Sequence, residues 1–215
     1  MMINNFINLV NEKYPLTEID CGEFAKMKVK GVNFKISAYK AEGLGHVSVM
    51  RGSAMMGLMK MDTLIINPTE LDLPLYSYDR IFALGNDTLI VELYDTLLSK
   101  YNEAKMQSIK EKYADLPERD PGEHWYDSIK LASSISKKGK GKQSERLGEL
   151  ATWHFEVYLR SSQNPVTDKA TKQDKARVYV NGLIEKGGPS TDVFKGAIGE
   201  EKTRILFENI LFGTK

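Results

Sequence analysis

The chain has 215 residues, 41% of them hydrophobic, which is enough for one substantial core, so we expect a single domain over residues 1–215. Thirty basic and 29 acidic residues leave a net charge of +1, which excludes a global field that steers a protein to nucleic acid or anionic lipid. The single cysteine, Cys21, excludes an internal disulfide and any cysteine-based metal cage, as is usual in a reducing cytoplasm.

The first residues predict a short amphipathic helix. Ile3, Phe6, Ile7 and Val10 recur at helical spacing, and the pattern stops before Pro15. This stretch lacks the basic region and the long apolar run of a signal peptide, and no later segment approaches a membrane-spanning length. We therefore expect a soluble, cytoplasmic protein with no membrane partner.

A strand-rich half follows this helix. Residues 24–29 and 34–39 flank a turn and predict a hairpin, a third strand begins at His46, and residues 60–67 predict a fourth. A second hairpin around Gly85-Asn86-Asp87 brings the expectation to about six strands. Because the predicted turns are too short for crossovers, the sheet should be antiparallel.

The rest of the chain is dominated by helical patterns. One begins near Leu97 and another extends from Leu147 to Tyr158. Strands followed by helices indicate an α+β domain with helices packed on the sheet. Between these patterns, residues 136–142 (SKKGKGK) predict a glycine-broken basic loop. The loop is either a solvated linker or, with Arg146, a docking patch for an acidic partner.

Asp79 is the candidate catalytic residue. The segment LPLYSYD, residues 73–79, delivers a lone carboxylate to the start of the apolar strand that begins at Arg80. There a rigid scaffold can present the carboxylate to a ligand. Carboxylates at strand starts also bond to turn amides, so a structural role stays open on local grounds.

Methionine is concentrated in one short stretch. Five of the nine methionines lie between Met50 and Met61. Methionine is flexible and polarizable, so Met59 and its neighbours suit a flat conjugated ligand, and they equally suit a buried strand edge that needs a gap filler. Arg51 and Lys60 flank the stretch and can meet ligand carboxylates through charge-assisted bonds.

Several common site motifs are absent from the sequence. Neither a GxGxxG nor a GxxxxGK[ST] motif occurs, so a dinucleotide fold and a P-loop are not supported. His46, His124 and His154 are far apart and form no HExxH pair, and no GxSxG elbow occurs. The aromatic residues are not interleaved with basic ones as in a single-strand nucleic-acid platform. We expect no metal site and no nucleic-acid partner.

Two segments resemble ferredoxin-dependent bilin reductases, a family that is also similar to red chlorophyll catabolite reductase. Residues 67–82, NPTELDLPLYSYDRIF, resemble the segment that carries the family's catalytic aspartate. Residues 192–201, DVFKGAIGEE, continuing to Ile210-Leu211-Phe212, are similar to the family's closing helices. The resemblance covers roughly residues 60–215.

The resemblance implies an α/β/α sandwich that binds a linear tetrapyrrole, a bilin such as biliverdin, between the antiparallel sheet and the C-terminal helices. It also implies reduction by single electrons from reduced ferredoxin or flavodoxin, with protons from side chains and no bound metal, flavin or nicotinamide. Asp79 would be the proton donor. Burial against an apolar ligand raises the pKa of an aspartate in the direction that this role requires.

Two positions depart from the family pattern. A ligand-facing histidine or asparagine of many members falls at Thr63, which can hydrogen-bond but not titrate. The second catalytic aspartate falls at Gly188, and the nearest acidic residue is Asp192. His46 on a neighbouring strand is then either a second proton source or, as is more common for a lone histidine on a strand, a structural residue with its hydrogen bonds satisfied. The expected substrate-binding residues are His46, Arg51, Met59, Lys60 and Thr63. The alternative is a non-catalytic tetrapyrrole- or haem-binding protein of the same fold, with His46 or a methionine as axial ligand.

Overall fold

A computed structural model describes residues 2–161 and 164–215. Its strands are β1 (Leu16–Ile19), β2 (Lys26–Val29), β3 (Val32–Ala41), β4 (Gly45–Ala54), β5 (Met59–Pro68), β6 (Leu75–Ala83), β7 (Asn86–Tyr94) and β8 (Ile135–Gly139). All eight join one antiparallel sheet in the order β1-β3-β4-β5-β6-β7-β8, and β2 also pairs with β3. The antiparallel sheet predicted from the short turns is confirmed.

Helices cover both faces of this sheet. They are α1 (Met2–Lys13), α2 (Ala104–Lys112), α3 (Lys142–Arg160), α4 (Lys169–Lys186), α5 (Pro189–Ile198) and α6 (Glu200–Ile205), which continues into a π-helical turn (Leu206–Leu211). The first three lie on one face and the C-terminal elements on the other. The predicted α+β sandwich is therefore confirmed. Within the described ranges, no helix is long and apolar enough to cross a membrane.

The two faces bury separate apolar clusters because side chains alternate along each strand. On the first face, the β6 residues Tyr76 and Tyr78 pack against Phe6 and Phe155, whose rings stack at 4.3 Å. On the second face, the ring centroids of Tyr94 and Tyr179 are 4.1 Å apart. Each fully buried aromatic side chain contributes about 1.5–3 kcal/mol, so both faces hold their helices firmly.

The structure corrects two expectations about the strands. The described residues form eight strands rather than six, because β1 and β8 carry few apolar residues and lie at the ends of the sheet. The predicted basic loop is wrong in its first half, where Ile135–Gly139 forms β8 and pairs with β7. The Lys137 ammonium is buried there, where it donates to the Leu116 carbonyl and pairs with Glu118 at 2.6 Å.

Three side chains of β4 and β5 hold the end of the chain against the sheet. His46 Nε2, the Ser48 hydroxyl and the Asn67 amide donate to the carbonyl oxygens of residues 210, 211 and 212 in turn, over 2.8, 2.7 and 2.8 Å. The π-helical turn leaves these carbonyls without helical partners, and the three donors satisfy them. The C-terminal segment is thereby fixed as one wall of a cleft.

Candidate functional site

A cleft with a volume of about 220 Å³ opens between the second face of the sheet and the C-terminal helices. Alternate residues of three neighbouring strands form its floor, which are Met61, Thr63, Ile65, Ser77, Asp79, Ile81, Ile90, Glu92 and Tyr94. One wall comes from the C-terminal elements and consists of Tyr179, Leu183, residues 188–191, Phe207, Leu211 and Phe212. The opposite wall comes from residues 119–126.

Asp79 lies on the floor of this cleft. The expectation that it heads its strand is wrong, because β6 begins at Leu75 and Asp79 is its fifth residue. Tyr78 and Arg80 point to the opposite face, so strand alternation directs the Asp79 side chain into the cleft. Asp79 pairs with Thr63 of β5, whose hydroxyl donates a hydrogen bond of 2.5 Å to the carboxyl group.

The environment of Asp79 favours its protonated form. The pKa of Asp79 is raised to about 6. Burial is the largest cause and raises the pKa, the hydrogen bond from Thr63 lowers it, and the negative charge of Glu92 raises it further. With a pKa of about 6, roughly one carboxyl in ten keeps its proton at pH 7. A group poised in this way can donate a proton and recover it from solvent near neutral pH.

Glu92 is a second carboxylate on the cleft floor, and sequence analysis missed it. Glu92 lies on β7, directly opposite Ser77 of β6. It is therefore a diagonal neighbour of Asp79 on the same face of the sheet. The Tyr94 hydroxyl donates to one Glu92 oxygen over 2.5 Å, and Lys130 approaches the other at 3.5 Å. The sequence signal was present, since Glu92 interrupts the apolar run of β7 at a position that alternation assigns to the cleft.

The wall formed by residues 119–126 adds polar and aromatic groups that no sequence pattern singled out. The Arg119 guanidinium lies 3.5 Å from the Ser136 hydroxyl, and among the described residues no carboxylate lies within 4.0 Å of it. The His124 ring stacks on Tyr126 at 4.8 Å. Its Nδ1 is buried, with no hydrogen-bond partner in the parts of the chain that the structure describes. Arg119 and His124 are therefore available to a ligand.

Of the expected catalytic and substrate-binding residues, the structure brings two together in the cleft, Thr63 and Asp79. His46 does not line this cleft, because its Nε2 is bonded to the Ile210 carbonyl and its ring packs against Gly213. Burial lowers the pKa of His46.

The remaining expected ligand contacts lie elsewhere. Arg51 and Lys60 are on the opposite face of the sheet, where the Arg51 guanidinium bonds to Asn4 of α1. Met59 is on the cleft side but lies beyond the cleft, at the start of β5. Gly188 lines the cleft and contributes no side chain to it.

The cleft is suited to a flat ligand with polar groups along its edges. Aromatic rings form much of its walls, and two carboxyl groups, hydroxyls and one guanidinium face its interior. In the described ranges, no three His, Cys, Asp or Glu side chains converge as they would to hold a metal ion. The chemistry that these groups offer is proton donation and hydrogen bonding to a conjugated molecule.

Comparison with known proteins supports the fold. No family model matches the sequence, and no curated protein sequence matches it. Among solved structures, the chain is similar to phytochromobilin synthase from tomato in complex with biliverdin, with a TM-score of 0.75 and 14% sequence identity. The similarity covers 99% of this chain and 82% of that chain. At this level of identity it shows a shared fold alone.

Proposed function

We propose that the protein binds a linear tetrapyrrole in the cleft and reduces it, with Asp79 as proton donor and with single electrons from reduced ferredoxin or flavodoxin. The observation that carries the proposal is Asp79 itself, a carboxyl with a pKa raised to about 6 on the floor of an aromatic-walled cleft. The shared fold with a protein solved in complex with biliverdin supports the choice of ligand.

The proposed reaction adds two electrons and two protons to one carbon–carbon double bond of the tetrapyrrole, which becomes a CH–CH single bond. Each electron comes from one molecule of reduced carrier, which is oxidised in turn. Asp79 gives its proton to the singly reduced ligand and becomes a carboxylate, which takes a proton from solvent and gives it to the ligand after the second electron arrives. Burial raises the pKa of Asp79, so a fraction of the carboxyl groups holds this proton near neutral pH. Arg119 is placed to bind a carboxylate of the ligand.

Binding without reduction is the second candidate function. The observation that favours it is Gly188, since the position where the resemblance places a second catalytic carboxylate has no side chain in the cleft. Haem binding through His46 receives no such support, because the histidine Nε2 is committed to the Ile210 carbonyl.

Biliverdin and reduced ferredoxin, added in sequence to the purified protein, test the proposal. Biliverdin alone should give a shifted and sharpened visible spectrum that saturates at one ligand per chain. Reduced ferredoxin should then convert that spectrum to the spectrum of a ligand with a shorter conjugated system. A bound spectrum that never converts favours the binding protein, and the absence of any spectral change contradicts both functions.

A matched pair of variants locates the binding site. Ile81→Trp places an indole on the cleft floor, and it should weaken biliverdin binding by about tenfold or more, which is 1.4 kcal/mol of binding free energy. Phe82→Trp makes a similar change on the opposite face of β6, and its affinity should equal that of the wild type. An equal loss of biliverdin affinity in both variants would place the ligand outside this cleft.

A further inference from the structure

Exposed apolar side chains collect at one end of the sheet. In the β4–β5 turn, Met55, Met56 and Leu58 are 56%, 104% and 54% exposed, and in the β6–β7 turn Leu84 is 69% exposed. The Leu84 amide donates to the Leu58 carbonyl over 3.3 Å, so the two turns form one continuous surface. We call these four residues the turn surface.

Three of the four residues adopt a backbone conformation that bulky side chains rarely take. The φ angles of Met55, Met56 and Leu84 are 52°, 53° and 50°, in the left-handed region. Bulky side chains are strained in this conformation, and the strain coincides with apolar groups held in water. Strain and exposure together suggest that these side chains are displayed for contact.

Lysines border the turn surface on both sides. They are Lys28 and Lys30 beside the β2–β3 turn, Lys138, Lys140 and Lys142 at the end of β8, and Lys60 between these groups. All six are exposed, and none forms an ion pair with any residue that the structure describes. The Asp87 carboxylate of the β6–β7 hairpin does not neutralise the positive charge of these lysines, because it is buried and paired with Arg80 at 2.6 Å.

The dimensions of this arrangement match a protein interface. From β2 to β8 the sheet has six inter-strand steps of about 4.8 Å, which place the two lysine groups about 29 Å apart. An interface of standard size covers about 800 Å² on each partner, which corresponds to a disc about 32 Å across. An apolar centre with a charged border is the usual anatomy of such an interface.

We infer that the turn surface and its six lysines are the docking site for a small acidic protein that delivers single electrons to the cleft. The inference rests on the proposed function. The lysines select a partner with an acidic surface, and the proposed reduction consumes electrons from outside the chain. The cleft floor begins at Met61 and Ile81, three residues from Leu58 and Leu84, which is about 10 Å along a strand.

An anionic lipid surface would also attract lysines and apolar turns, but it fits the arrangement less well. Lipid binding gives no reason for the turn surface to lie next to the cleft floor. An acidic carrier docked on the turns explains both the lysines and the short path to a bound ligand. Lipid binding and self-association are therefore outcomes that the test separates from carrier docking.

Direct binding of an acidic [2Fe–2S] ferredoxin, measured by titration calorimetry without any tetrapyrrole, tests the inference. Two groups of substitutions probe the site. The first, Lys138→Gln with Lys140→Gln and Lys142→Gln, removes one side of the charged border. The second, Met56→Asn with Leu84→Asn, removes apolar surface without adding charge, and asparagine tolerates the left-handed conformation, so these chains should fold.

Both groups should weaken ferredoxin binding by about tenfold or more at low ionic strength. The lysine variant should also show a flatter salt dependence than the wild type, because fewer screened charge pairs remain. Lys100→Gln with Lys105→Gln is the matched control. These exposed lysines lie near the opposite end of the sheet, and their loss should leave the affinity unchanged.

The inference is overturned if the wild type does not bind ferredoxin at low salt, or if the control weakens binding as much as the two test groups. It is also overturned if the same substitutions abolish binding to phosphatidylserine vesicles or dissociate a dimer while ferredoxin binding persists. Biliverdin binding and its reduction by dithionite are measured separately. If biliverdin binding and reduction fail while ferredoxin still binds, the proposed function is contradicted and the docking site is not.

Discussion

Thr63 and Asp79 face each other across the β5–β6 pair, and the Thr63 hydroxyl donates a 2.5 Å hydrogen bond to the Asp79 carboxyl. The bond fixes the direction of the carboxyl group and opposes the rise in its pKa that burial causes. A partner that cannot titrate leaves Asp79 as the acid of this pair. The pair therefore sets both the position and the acidity of the proposed proton donor.

Removing the hydroxyl should make Asp79 a weaker acid. In Thr63→Val, the carboxylate loses a hydrogen bond that favours its charged form, so the pKa of Asp79 should rise above about 6. The alkaline limb of the pH profile for tetrapyrrole reduction should then move to higher pH. Single-turnover rates measured from about pH 5 to about pH 9 provide the test, because this range includes the limb in both proteins. A limb that stays in place would show that the bond does not control the acidity of Asp79.

Removing the neighbouring charge should have the opposite effect. The negative charge of Glu92 raises the pKa of Asp79, so Glu92→Gln should lower that pKa and move the alkaline limb to lower pH. Glutamine keeps the shape of the side chain and can still accept the hydrogen bond from Tyr94. The charged groups around Glu92 are Asp79, Lys130 and Arg119, and none of them is altered. Equal shifts in Glu92→Gln and in Asp62→Asn, on the opposite face, would contradict a local effect.

The raised pKa of Asp79 also predicts a cost in stability. Between its ordinary pKa of 3.8 and about 6, the folded state binds the proton more tightly than the unfolded state, so the free energy of unfolding falls as pH rises through this window. Asp79→Asn removes the cost and should stabilise the protein at pH 7 by at most about 3 kcal/mol, with no gain below pH 3.8. Urea unfolding at both pH values measures this. A variant that is less stable than the wild type at pH 7 would contradict the burial of a charged group.

His46 should act on stability and not on proton transfer. Its Nε2 bonds to the Ile210 carbonyl, so His46→Ala leaves a buried carbonyl without a partner and should cost about 1–3 kcal/mol. The pH profile of reduction should keep its shape. Asn67→Ala, which frees the neighbouring carbonyl of Phe212, is the matched control and should behave in the same way. If His46→Ala alone removed a limb of the pH profile, His46 would be a proton source after all.

Periodicity predicted most of the fold because the alternating and helical patterns of the central elements are strong. The helix at Ile3–Val10 and the two hairpins formed as expected. β8 was missed because a serine, two lysines and a glycine make up four of the five residues of this edge strand. The cleft wall at residues 119–126 was missed because an irregular segment has no period, and tertiary packing alone brings Arg119 and His124 to the cleft that contains Asp79.

Reduction of biliverdin by Asp79→Asn is the most direct test of the central claim. Asparagine keeps the size of the side chain and removes its proton, so biliverdin should bind with wild-type affinity and accept the first electron from reduced ferredoxin. Protonation of the singly reduced ligand should then slow by about 10²–10⁴-fold, and a radical should persist in the electron paramagnetic resonance spectrum. Asp62→Asn, on the opposite face, should reduce biliverdin at the wild-type rate. Reduction by Asp79→Asn at the wild-type rate, with no persistent radical, would contradict the account.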